Sequence, residues 1–261
     1  MDVRRAFKES EEGRVQAAVK HMMPPYEPKK KKPKRVATWT SHATIITGRY
    51  GSGKSVAVRE ALRGVQGVFF HPIEDADWKD KLYERLGLSG PDMLEEVLCR
   101  VQAQLEKLEG PSKVPIIVLD IPRETREGTA LVAFKSFRMD TVSNFAKYLC
   151  SDDTMDAMAH VIVCASSAAM ALSFDAGGDR QENYWVEDLT EKEAKELLTL
   201  HGHREDWKQF VNACLWAAVD LVRTCEKYKG PATLAAKEEE MKAKAAIEVQ
   251  RFLDSCKIKE T

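Results

Sequence analysis

Residues 43–55 read Ala43-Thr44-Ile45-Ile46-Thr47-Gly48-Arg49-Tyr50-Gly51-Ser52-Gly53-Lys54-Ser55. The first five form a short, mostly β-branched run, the composition of a buried strand. The next eight match G-x-x-x-x-G-K-[ST] at every fixed position. Each fixed position has a physical reason. Glycines let the backbone curl so that successive N–H groups point at one centre. The helix expected from Ser55 to Arg63 adds the positive end of its dipole. Lys54 contributes a point charge, and the Ser55 hydroxyl suits a divalent cation that keeps part of its water shell. Together they describe a turn built for phosphate oxygens. Gly48, Arg49, Tyr50, Gly51, Ser52, Gly53, Lys54, Ser55 and Val56 are the candidate contacts of a nucleoside triphosphate, with Mg²⁺ on Ser55.

Downstream of this turn, strands and helices alternate. Gly64 suits the end of the first helix. Residues 67–71 read as a second strand, and 77–86 and 92–108 as helices, the latter following Pro91. Residues 114–119 are apolar throughout and end in Asp120, the pattern of a central parallel strand covered on both faces. Asp120 lies 66 residues after Lys54 and is the candidate second metal residue, holding Mg²⁺ through water. A helix over 140–150 leads to a strand over 161–165 that ends at Ser166. A short last strand is expected at Tyr184-Trp185-Val186.

Beyond Leu189 only helical patterns remain. Thr190 with Glu193 forms a capping box for a helix over 190–200. Trp207, Phe210, Val211, Cys214, Leu215, Ala218 and Leu221 recur at a 3.6-residue period, predicting one amphipathic helix over 205–224. Residues 232–255 predict a third, partly exposed helix.

Upstream, Val15, Ala18, Val19 and Met22 place a short helix within 1–22, and Pro24, Pro25 and Pro28 end it. Residues 23–37 read as a linker containing the run Lys29 to Arg35. Residues 1–42 hold 11 Lys or Arg against 5 Asp or Glu, a net charge of +6 on a chain whose total is −1. The whole molecule is therefore no electrostatic binder of nucleic acid or membrane. The basic arm is a separate matter. It fits a nuclear localisation signal, a nucleic-acid or acidic-lipid contact, or a solvated linker.

The 261 residues suffice for one large α/β domain with a modest appendage. Cys99, Cys150, Cys164, Cys214, Cys225 and Cys256 include no CxxC pair, which suits reduced core thiols in an intracellular protein. No apolar run approaches the ~20 residues that cross a bilayer. The N-terminus lacks a secretory apolar stretch, and its acidic residues argue against a mitochondrial presequence. The expected location is cytoplasm or nucleus. The six histidines show no metal spacing.

The Gly48–Ser55 turn, the strand ending in Asp120 and the polar strand end at Ser166 occur in the order of the AAA+ and STAND ATPases. The segment Trp185-Val186-Glu187-Asp188-Leu189-Thr190-Glu191-Lys192-Glu193-Ala194 resembles the link from last strand to helical lid in archaeal-type ATPases. The resemblance covers roughly residues 40–225. It implies a P-loop doubly wound parallel sheet of about five strands with a small C-terminal all-helical lid. It also implies that the Ser166 strand lies between the other two. The expected division is a basic arm over 1–40, an α/β domain over 41–188 and a helical lid over 189–261. The resemblance further implies ATP rather than GTP, a lid that closes over it, and homo-oligomers or protein clients that respond. The guanine-reading Asn-Lys-x-Asp motif is absent.

Two departures bear on activity. Many ATPases of this architecture carry Glu directly after the metal-binding Asp, where this chain has Ile121. Glu124 and Glu127 are nearby substitutes, and Glu124 is the candidate catalytic carboxylate beside Lys54, Asp120 and Ser166. STAND lids carry Gly-x-Pro after the first lid helix, where this chain has Gly202-His203-Arg204. Arg204 reads as surface charge or a lid arginine, and Arg180 as a loop residue or a finger to a neighbouring subunit. Ser166 suits either a γ-phosphate contact or the cap of a helix over 168–173. Three functions stay open: a slow or switch-like ATPase, a small P-loop kinase with Arg123 and Arg126 as a phosphate clamp, and a non-hydrolysing scaffold.

Overall fold

A computed structural model describes residues 3–23, 43–49, 51–108, 114–121, 139–150, 157–166, 172–177 and 181–257. The linker with Lys29 to Arg35, Tyr50, Arg123, Glu124, Arg126, Glu127, Arg180 and most of the 168–173 helix lie outside the described residues.

In chain order the elements are α1 (Val3–Met22), β1 (Ala43–Gly48), α2 (Lys54–Ala61), β2 (Val68–Pro72), α3 (Trp78–Leu86) and α4 (Pro91–Leu105). These are followed by β3 (Ile116–Ile121), α5 (Met139–Leu149), β4 (His160–Ala165) and β5 (Gln181–Val186). Last come α6 (Glu191–Leu200), α7 (Trp207–Cys214), α8 (Ala218–Lys227) and α9 (Pro231–Lys257). The five strands make one sheet in the order β2-β3-β4-β1-β5, with every neighbouring pair parallel.

Strand alternation sorts the core into two layers. On one face, Ile117, Leu119 and Ile121 of β3 join Val161, Val163 and Ala165 of β4, under a cluster that includes residues of α1, α3, α4 and α5. On the other, Ile116, Val118, Ile162 and Cys164 pack against Val58 of α2 and Leu62 just beyond it. Cover on both faces explains why β3 and β4 are apolar without a polar beat.

Helix α1 lies in the segment expected as arm and linker, where a short helix with one apolar face is expected within 1–22. Its Val15, Ala18, Val19 and Met22 are buried in the larger cluster. The Met22 carbonyl accepts from the Gly67 N–H at 2.8 Å. On its other side, Glu12 Oε2 accepts from Arg100 Nη2 of α4 at 2.8 Å. The physical reason is the apolar face of α1, whose burial outweighs the basic character of the segment. Next to it, rings from four elements form a column under β2. Its members are His21, Phe69, His71, Trp78 and Phe145, with successive centroids 5.2–6.4 Å apart.

The chain divides into two compact units, Met1–Tyr50 with Lys54–Val186, and Gly51–Gly53 with Glu187–Thr261. The helices of the second unit enclose their own core of Ala194, Leu198, Trp207, Phe210, Val211, Leu221 and Leu234. The Thr190–Glu193 capping box is formed in both directions. The single helix expected over 205–224 is instead two, α7 and α8, broken at Leu215, which has φ 60°. Residues 218 and 221 stay in phase with the period of α7, so the pattern alone conceals the break.

Candidate functional site

β1 delivers the chain to Gly48 at the C-terminal end of a central strand. Gly48 has φ 149°, and a Cβ there would lie 2.3 Å from the Val186 carbonyl oxygen of neighbouring β5. Only glycine fits, because β5 pairs with β1 to its last residue, Gly48 opposite Val186. Gly51 and Gly53 follow with φ 79° and 88°, and α2 begins at Lys54. Three left-handed glycines in six residues curl the main chain back on itself before the helix starts.

Lys54 is 5% exposed. Its Nζ donates to the Gly48 carbonyl at 2.9 Å and to the Arg49 carbonyl at 2.8 Å. Two of the three ammonium donors are thereby committed, which fixes the charge over the turn. Burial pushes the Lys54 pKa down, and nearby Cys164 and Asp120 push it back up. The Ser55 hydroxyl donates to Asp120 Oδ1 at 2.7 Å. That contact joins the first turn of α2 to the end of β3.

Asp120 pairs in register with Cys164, and Cys164 packs in the cluster against α2. Ser166 follows β4, which ends at Ala165, and is half-buried. Ile121 belongs to the opposite layer and is 1% exposed. Val56 is 65% exposed. Of the expected site, Lys54, Ser55 and Asp120 are brought together by direct or electrostatic contact.

One neighbour was not legible as part of the site. Cys164 reads as a core thiol, yet it lies within electrostatic reach of both Lys54 and Asp120. Burial first, then Asp120, push its thiol up to about 12, so it is a neutral wall for the two charges. Its place depends on the β3–β4 register, for which the sequence carries no local signal.

The donor set fits a magnesium–triphosphate. A hydroxyl and a carboxylate 2.7 Å apart are hard oxygen ligands of the type Mg²⁺ takes while keeping several waters. Among the described residues no group of three or more His, Cys, Asp or Glu could hold a metal ion.

No protein-family profile matches the chain, and no curated protein does. Among solved structures, the chain is similar to a signal transduction ATPase with numerous domains, a STAND protein with a tetratricopeptide repeat sensor from Pyrococcus horikoshii. The two are 10% identical with a TM-score of 0.45, over 80% of this chain and 32% of the other. The chain thus spans about a third of that protein's length. Among the described residues no helix is long and apolar enough to cross a membrane.

Proposed function

We propose that the chain is a P-loop domain that binds Mg-ATP and uses it as a conformational switch, with slow hydrolysis. The observation that carries this reading is the Ser55–Asp120 hydrogen bond at 2.7 Å. It closes a cation site beside an ammonium group held over a glycine-rich turn. In this reading the N–H groups of residues 48–55 face phosphate oxygens, and Lys54 balances the charge of the β and γ phosphates. Ser55 would hold Mg²⁺ and Asp120 would hold it through water. A cation held there would screen the phosphate charge. Ser166, just after β4, would be the side chain that touches a terminal phosphate or orients a water.

Slow turnover is the expectation from Ile121, with Glu124 as the candidate substitute base. The residue after the metal-binding carboxylate is apolar and belongs to the opposite core layer, so it cannot act as a base. The same observation favours a second reading, a scaffold that binds ATP without turning it over.

One experiment tests both. Purified protein is titrated with ATP and Mg²⁺, and ADP release is then followed without any acceptor. Saturable binding with slow, acceptor-independent release supports the switch. Binding without release supports the scaffold. Release that requires an acceptor supports a kinase, and absence of binding ends the reading. Chromatographic size with and without ATP shows whether copies of the chain assemble in response.

A further inference from the structure

The glycine-rich turn makes a second set of contacts, inside the unit formed by Gly51–Gly53 and Glu187–Thr261. Helix α8 has no side-chain cap at its start. The Asp220 and Leu221 N–H groups both reach the Ala217 carbonyl at 3.1 Å. The Val219 N–H instead donates to the Gly51 carbonyl, also at 3.1 Å. A loop carbonyl thus satisfies one of the orphan donors of a helix start, where the dipole favours negative charge.

The side chain makes the fit closer. A Cβ on residue 51 would lie 2.1 Å from Val219 Cγ1, and Gly51 has φ 79°. Two anchors set where α8 begins. Leu215 adopts φ 60°, ψ −156°, a left-handed conformation that L-residues avoid. The next carbonyl, that of Trp216, accepts from the Leu189 N–H at 3.0 Å.

The consequence lies in the geometry of one peptide unit. In a trans peptide the C=O and the following N–H point in opposite directions, and the described residues contain no cis bond. Holding the Gly51 oxygen on α8 turns the Ser52 N–H away from α8. A flip of that unit would turn the oxygen to the side the N–H now faces, exchanging a donor for an acceptor in the turn.

We propose that Val219 is a positioning residue for nucleotide binding: its main-chain N–H and its side chain hold the Gly51–Ser52 peptide in the orientation that phosphate oxygens require. The proposal rests on the Mg-ATP reading above.

The test compares ATP, ADP and AMP affinities of the full chain with those of Val219→Pro and Val219→Ile, alongside apo melting curves. Proline removes the donor at a first-turn position where its N–H has no intrahelical partner. Isoleucine keeps the donor. The expected result is a loss of about tenfold for ATP and ADP in Val219→Pro, under about twofold for AMP, and near-parental binding in Val219→Ile. A folded Val219→Pro with parental ATP affinity overturns the proposal, and so does an equal loss for AMP, the mark of general damage. If Val219→Pro does not fold, Val219→Ala decides. It keeps the N–H and removes the contact with Gly51, and a loss of about threefold confined to ATP and ADP is expected. Parental affinity there overturns the proposal. Lack of ATP binding by the unmodified chain removes the reading beneath it as well, whereas ATP binding with unaffected variants removes this inference alone.

Discussion

The Ser55 hydroxyl and the Asp120 carboxylate are 65 residues apart in the chain and 2.7 Å apart in the fold. Ser55 lies in the first turn of α2 and Asp120 near the end of β3, two strands away from β1 in the sheet order. The hydroxyl uses one carboxylate oxygen, Oδ1. For Asp120→Asn, the side-chain oxygen still accepts from Ser55, so apo stability changes little. The charge that attracts the cation is gone. The expected outcome is a loss of about tenfold in ATP affinity with Mg²⁺ and under about twofold in EDTA. Parallel titrations with and without EDTA check it, and equal losses would count against a metal role.

Lys54 is buried with its ammonium on two loop carbonyls. Lys54→Ala leaves those carbonyls short of a donor, a cost of about 1–3 kcal/mol, which a domain of this size survives. The missing charge matters more to the ligand. Calorimetric titration is expected to show ATP and ADP affinity reduced by ten- to about a hundredfold, with an unchanged far-UV circular dichroism spectrum. Retained affinity in a folded variant would be incompatible with the phosphate assignment.

His71 gives the α/β unit an acid-sensitive point. The side chain is buried between Phe69 and Trp78. Burial, then the charge of Arg85, lower its pKa from 6.5 to about 4. The folded state therefore prefers the neutral ring. Between these two values the unfolded chain binds the proton and the folded one does not. The contribution is fully present above about pH 6.5, falls as pH drops toward about 4, and levels off below. Its size is on the order of 3 kcal/mol. Urea unfolding at a series of pH values checks this. His71→Phe keeps an aromatic ring in the column and is expected to flatten the slope in that window; an unchanged slope would assign the acid sensitivity elsewhere.

Leu215 is the one non-glycine residue with positive φ among the described residues. Its side chain is 44% exposed, so little packing depends on it. Leu215→Gly removes the backbone strain at the cost of some unfolded-state entropy, and a net gain of about 1 kcal/mol is expected. Leu215→Ala keeps the strain and is expected to gain nothing. Thermal melts of the two variants side by side distinguish strain relief from loss of an exposed apolar side chain.

The glycine turn was legible because its parts are adjacent in the chain. Gly48, Gly51, Gly53, Lys54 and Ser55 match one pattern by type and spacing, and continuous apolarity marks β3 up to Asp120. The break between α7 and α8 was not legible, since one left-handed residue leaves the 3.6-residue period in phase. Nor was the burial of α1, because a basic sequence with one apolar face suits a solvated arm as well as a core helix. The position of β4 between β1 and β3 came with the family resemblance, not with any residue of β4.

By itself, then, the sequence determined composition, element types and the one motif whose every atom lies within eight residues. Such features follow from backbone preference and nearest neighbours, which a linear string encodes directly. Tertiary structure alone decided that Ser55 meets Asp120, that Cys164 stands beside both charges, and that Val186 and Val219 demand glycine at 48 and 51. Those are contacts across strand register and helix packing, set by the burial of the whole core at once, and no single segment carries them.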